Sequence, residues 1–323
     1  MRRSINVDLL LLLLLLLLAA CALAAPKPPI VLIVARPRTG SSSLCWQLPP
    51  NMRRSGLPAV CVGEFLHQSD GEPLYEPNRE FRSLCWQQWF SQQQTKAMHK
   101  CLVALRDGVL KRAKRTPRIV IGKLFDYDLG LHPQRFGAHQ LEWWVRAGMG
   151  AMFERLISFP GTVPLVVMLR RTDSLMQHVS FKWASEHNFW QASALENRTG
   201  LQPMRLTRLD AEQIELDFEH SERESAFLRS RHDAASPPKA RLIEIESTDV
   251  FYRMQAVSKL VIANLLDGNA TSALDLRDDA YNFEHDQAMR LQLLRERVAN
   301  VDEVLGWLRQ TRWAERHRPF YYR

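Results

Sequence analysis

Three observations predict an α/β fold, a P-loop-like three-layer sandwich with a central, mainly parallel sheet and helices on both faces. Short apolar runs of strand length alternate with longer helical stretches; the first run leads into a glycine- and hydroxyl-rich turn that opens a helix; a later run leaves through basic residues into another helix. Composition agrees: of 323 residues, 46% are hydrophobic and 24% charged, which allows a sizeable core and excludes a disordered chain, a collagen-like repeat or a disulfide-packed miniprotein. No internal linker is long or simple enough to divide the body, so residues 30–323 read as one domain behind a separate segment, 1–29.

In chain order the strands are expected at Ile30–Ala35, Ala59–Val62, Arg118–Phe125, Val163–Leu169 and Arg241–Glu246. The helices between and after them are expected at Ser42–Leu48, 79–114, Leu141–Ile157, Asp173–His187, Asp210–Arg229, Val250–Leu266 and Glu284–Gln310. Ser236-Pro237-Pro238-Lys239 is a turn before the last strand.

The N-terminal segment is a targeting element. Arg2 and Arg3 precede an uninterrupted apolar run, Leu9–Ala25, which Pro26-Lys27-Pro28-Pro29 halts. Its length lies at the lower edge of the ~17–25 residues that span a bilayer and just above the ~7–15 of a signal-peptide core. Two fates stay open: cleavage near Ala22-Leu23-Ala24, or retention as a type II anchor with the arginines in the cytosol. Either delivers the body to the secretory lumen, as a Golgi membrane protein or a secreted one, with membrane contact only through this segment. Leu18-Ala19-Ala20-Cys21 also has the form of a bacterial lipoprotein site. The sequons Asn197-Arg198-Thr199 and Asn269-Ala270-Thr271 fit a glycosylated luminal protein.

Cys45, Cys61, Cys85 and Cys101 remain in the body, an even number with three pairings open in an oxidising compartment. They show no C-x-x-C pair and no histidines at zinc spacing, and no metal is expected. The excess of 43 Lys+Arg over 35 Asp+Glu, +8 in all, suits an anionic ligand without choosing one. The basic residues are dispersed and no nucleic-acid reading module is recognisable, so no nucleic-acid partner is expected.

Two segments carry the chemistry. The first strand runs into Arg36-Pro37-Arg38-Thr39-Gly40-Ser41-Ser42-Ser43-Leu44. At a strand-to-helix turn the unpaired N–H groups and the helix dipole favour a phosphate, Gly40 lets the backbone approach, Arg38 adds a cation, and Thr39 and Ser41 to Ser43 add donors. The loop lacks the first glycine and the lysine of a Walker motif, which disfavours ATP or GTP hydrolysis. The second segment, Val166 to Ala184, leaves its strand through Arg170-Arg171-Thr172-Asp173 into a helix with Gln177, Val179, Ser180 and Trp183.

Together these segments resemble the nucleotide-binding elements of sulfotransferases that use 3′-phosphoadenosine 5′-phosphosulfate (PAPS), and most nearly the bacterial trehalose-type glycolipid sulfotransferases. The likeness extends to Val62-Gly63-Glu64-Phe65-Leu66, Ile121-Gly122-Lys123-Leu124 and Leu242-Ile243-Glu244-Ile245-Glu246, and covers about residues 30–270. It implies that the Arg38 to Ser43 loop holds the 5′-phosphosulfate, that Arg171 and Ser180 hold the 3′-phosphate, and that Glu64 is the general base. Leu66 departs from the family's second aromatic, so acceptor contacts differ, and His67 or Asp126 could replace Glu64 as base. The implied acceptor is a carbohydrate or glycolipid hydroxyl. A homodimer is compatible with the sequence. Two rivals are a non-catalytic nucleotide- or glycan-binding protein of this fold and a nucleotide kinase with an atypical loop.

Overall fold

The computed structural model describes residues 27–36, 39–64, 95–112, 117–125, 149–187, 202–266, 283–312 and 315. Among the described residues five strands form one sheet: β1 (Ile30–Ala35), β2 (Ala59–Glu64), β3 (Ile119–Phe125), β4 (Leu165–Arg170) and β5 (Arg241–Glu246). Their order is β2-β3-β1-β4-β5 and every pairing is parallel. The helices are α1 (Ser41–Arg54), α2 (Thr95–Arg112), α3 (Met149–Ile157), α4 (Ser174–His187), α5 (Arg208–Ala234), α6 (Ser247–Tyr252), α7 (Met254–Leu266), α8 (Phe283–Arg297) and α9 (Val301–Leu308).

The central strand explains the sheet. All six residues of β1 are buried, as a parallel strand covered on both faces requires. Alternate side chains then serve opposite layers. Ile30, Leu32 and Val34 pack with Leu102 of α2, Phe153 and Leu156 of α3 and Leu228 of α5. Val31, Ile33 and Ala35 pack with Leu44, Leu48 and Met52 of α1 and with Val257 and Val261 of α7. At the edge, β5 is only half buried, with Ile243 and Ile245 turned to the core. A third cluster joins Leu175, Met176 and Val179 of α4 to Leu294 of α8 and to Val304, Leu305 and Leu308 of α9.

All five expected strands are present, and β2 runs on to Glu64. Helix ends differ more. The helix expected to stop at Leu48 continues through Pro49 and Pro50 to Arg54. An interior proline costs about 3 kcal/mol; here Leu48, Pro49 and Met52 are buried beneath the sheet, and Cys45 is bonded to Cys61 of β2 with the Cα atoms 5.5 Å apart. The helix expected at Val250–Leu266 is two, α6 and α7, parted at Arg253, whose N–H donates to the Asp249 carbonyl. The last expected helix is likewise split into α8 and α9. Between them Val298 bridges to Met204, while the Asn300 amide donates to the Leu206 carbonyl at 2.9 Å and accepts its N–H at 3.0 Å.

The apolar run, both sequons, Cys85 and the Cys101 side chain lie outside the described residues. Among the described residues no helix is long and apolar enough to cross a membrane.

Candidate active site

The chain diverges at the neighbouring strands β1 and β4. From β1 it passes to α1 on one face and from β4 to α4 and α5, with α5 on the other face. Ligands of open α/β sheets bind outside the carboxyl ends of such strands. A cleft opens there, lined by Arg36 and Thr39 from the first exit, Arg170 and Arg171 from the second, and Ser221 and Glu224 from α5.

Backbone shapes the first exit. Gly40 stands at φ 86°, a left-handed conformation natural to glycine, and a Cβ there would lie 3.0 Å from the Phe251 ring. The helix α1 begins with no side-chain cap and no acidic residue in its first turn. Its leading N–H groups lack intrahelical partners, so with the helix dipole they can receive an anion. Ser42 Oγ accepts from Lys123 Nζ at 2.8 Å and Ser43 Oγ from Gln47 Nε2 at 2.7 Å, so in these bonds each hydroxyl keeps its proton to donate. Ser41 is buried. Thr39, expected as a hydroxyl donor to the ligand, instead donates to the Arg36 carbonyl at 2.8 Å. That carbonyl lies past Ala35, the last paired residue of β1, and needs a local partner.

The row of Cα partners Glu64, Lys123 and Ile33 crosses from β2 through β3 to β1. It sets Glu64 two strands from the loop. Gly63 at φ 70° and a shift of register between Cys61 and Glu64 redirect the end of β2. Lys123 is 3% exposed and meets the loop at Ser42, a cation added to the turn from the middle of a neighbouring strand. One lysine inside the apolar run Ile119–Phe125 was the available signal. Arg38, His67, Asp126 and the Glu64 side chain lie outside the described residues.

Side chains hold the second exit. Arg170 pairs with Glu222 of α5, and with Glu244 of β5 at 3.4 Å. Arg171, the next residue, lines the cleft. The Thr172 N–H donates to Glu246 Oε1 at 2.8 Å, and Thr172 Oγ1 lies 3.3 Å from the same oxygen. Burial pushes the Glu246 carboxyl up to about 7, against the lowering pull of Thr172 and Arg170. Asp173 caps α4 by accepting the Met176 N–H at 3.0 Å, and its other oxygen pairs with Arg290 of α8 at 2.7 Å, both side chains being buried. Ser180 lies farther down α4, about 9 Å beyond Ser174 along the axis. It is buried and is not part of the cleft lining.

A chain of charges links the exits. Arg36 donates to the Asp217 carbonyl at 2.6 Å, with Asp217 Oδ1 at 3.6 Å and Glu224 Oε2 at 3.7 Å. His178 of α4 stands between Asp217 at 3.7 Å and Asp210 at 3.2 Å, and Lys182 reaches Asp210 at 2.7 Å. Burial raises both carboxyls. The stronger pull of Lys182, Thr207 and His178 on Asp210, and of His178, Arg36 and Gln213 on Asp217, holds them below the ordinary carboxylate range. Among the described residues no three His, Cys, Asp or Glu side chains gather to hold a metal ion.

A model of the Stf0 sulphotransferase family matches residues 30–265. This chain belongs to that family. Membership makes it a sulfotransferase, an enzyme that requires a sulfuryl donor. The family match runs from the start of β1 into α7, so it contains both strand exits, while α8 and α9 lie beyond it. No curated protein matches the chain. Among solved structures it is similar to PAB0955, a GTPase in apo form from Pyrococcus abyssi, at 14% identity over 73% of this chain and 98% of that one, with a TM-score of 0.26.

Proposed function

We propose that this Stf0-family enzyme transfers a sulfuryl group from PAPS to a hydroxyl of a glycan or glycolipid in the secretory lumen. The observation that carries the donor assignment is the shared cleft: Thr39 of the open phosphate turn and Arg171 line it together, at adjacent strand ends. A nucleotide with phosphates at two separate positions needs two such anion sites. The Thr39 to Ser43 turn takes the 5′-phosphosulfate, and Arg171 takes the 3′-phosphate.

The reaction passes SO₃ in line to the acceptor oxygen as the bond from sulfur to the bridging phosphate oxygen breaks. The bonding pair leaves with 3′-phosphoadenosine 5′-phosphate. Charge grows on that departing phosphate, where the α1 N–H groups, Arg38 and Lys123 lower the barrier. Glu64 accepts the hydroxyl proton, a role supported by its position at the carboxyl end of β2 in register with Lys123.

The test is a thermal-shift titration. At 100 Kd a native-state ligand adds about 2.7 kcal/mol, so 3′-phosphoadenosine 5′-phosphate should raise Tm by several degrees and ATP should not compete. Glu64→Gln should then lower transfer at least about 100-fold with nucleotide affinity unchanged. Tighter binding of ATP rejects the donor, and persistent transfer by the variant rejects the base.

A further inference from the structure

The junction of β5 and α6 touches both strand exits. Glu246, its last strand residue, holds the Thr172 N–H and hydroxyl just beyond Arg171. Phe251 of α6, five positions on, lies against Gly40 of the phosphate turn, where a Cβ would come within 3.0 Å of its ring. One short stretch of chain therefore contacts both anion arms. Among the described residues the sheet ladder itself gives Thr172 no bond, because β4 pairs with β5 only as far as Arg170 opposite Glu246. The Thr172 carbonyl accepts the Ser174 N–H at 3.1 Å, which leaves its N–H and hydroxyl to Glu246.

From this contact we propose that Glu246 is a positioning residue for the 3′-phosphate. By holding Thr172 it sets the backbone from which Arg171 projects, and through α6 it keeps that arm in register with the phosphate turn. The inference rests on the nucleotide assignment above. The charged groups facing Glu246 among the described residues are Arg170 of β4 and Asp249 of α6. Arg170 is already engaged by Glu222 and Glu244, so the carboxylate acts on Thr172 rather than as that arginine's main partner.

The experiment compares two nucleotides on purified full-length protein by calorimetry. 3′-Phosphoadenosine 5′-phosphate engages both arms and adenosine 5′-phosphate only the first. Wild type should bind the former more tightly; equal affinities would overturn the nucleotide assignment itself, and this inference with it. In Glu246→Ala the Kd of the doubly phosphorylated nucleotide should rise about 10-fold, since displacement of a positioned group by ~1 Å can cost up to 100-fold, with adenosine 5′-phosphate unchanged. Glu246→Asp, too short to reach Thr172, should behave alike if the alanine variant does not fold. Glu246→Gln, whose amide oxygen still accepts the N–H, should restore affinity to within about 3-fold. Equal loss for both nucleotides, no loss for either, or no rescue by glutamine overturns the proposal.

Discussion

The two strand exits look alike in sequence, each an apolar run ending in arginines and hydroxyls before a helix, yet their helix N-termini are treated in opposite ways. The first turn of α1 carries no side-chain cap and no acid, so its peptide dipoles remain available to an anion. The first turn of α4 is closed by the protein's own carboxylate, Asp173, itself neutralised by Arg290. A ligand at the first exit meets main chain; a ligand at the second meets Arg171. The lesson is that a basic residue after a strand does not make a backbone phosphate site. What fills the helix N-terminus decides it, and that depends here on an arginine 117 positions away from Asp173.

The comparison breaks most sharply at Gly40. Gly40→Val forces a branched side chain onto φ 86° and into the Phe251 ring, so nucleotide affinity and kcat/KM should both fall by at least about 100-fold, read by calorimetry and sulfate-transfer assay. Arg171→Ala should act more selectively. It removes a charged hydrogen bond worth about 1.5–3 kcal/mol, so binding of 3′-phosphoadenosine 5′-phosphate should weaken about 10- to 100-fold while adenosine 5′-phosphate is unaffected. A main-chain site at both exits would instead leave the two nucleotides equally insensitive.

The smallest effect is on stability. The folded Glu246 carboxyl titrates near 7, above its ordinary value, because burial disfavours its charge. Its contribution to folding is therefore fully present below about pH 4.5 and lost as pH rises through 7. Wild type should lose a few degrees of Tm between pH 5 and 8 relative to Glu246→Gln, an amount of order 1 kcal/mol. A pH-independent difference between the two proteins would show that the carboxyl is ionised throughout.

The sheet was legible because its strands are short apolar runs, and burial on both faces of β1 demands that composition. Helix ends were not: the end at Arg54 is turned locally by Gly56 at φ 76°, beyond a Pro49-Pro50 pair that the helix runs through. The break at Arg253 is a local corner on the Asp249 carbonyl, and the break at Asn300 is set by a bridge from Val298 to the distant Met204. The strand-to-helix turn at the first exit could be read locally from Gly40 and its neighbours. Lys123 could not be assigned to that turn, because it meets Ser42 across 81 positions and only once β3 lies beside β1. Glu246 was likewise placed only in its strand, since its contact with Thr172 spans 74 positions.

The bond between Cys45 and Cys61 crosses from the helix behind the phosphate turn to the strand that ends in Glu64. The proposed donor cradle and the proposed base are thus fastened to one covalent loop, which closes only where thiols can be oxidised. Protein made in a reducing cytosol or kept in strong thiol reductant would lack that fastening, so preparations should be matched for their free-thiol content before turnover numbers are compared.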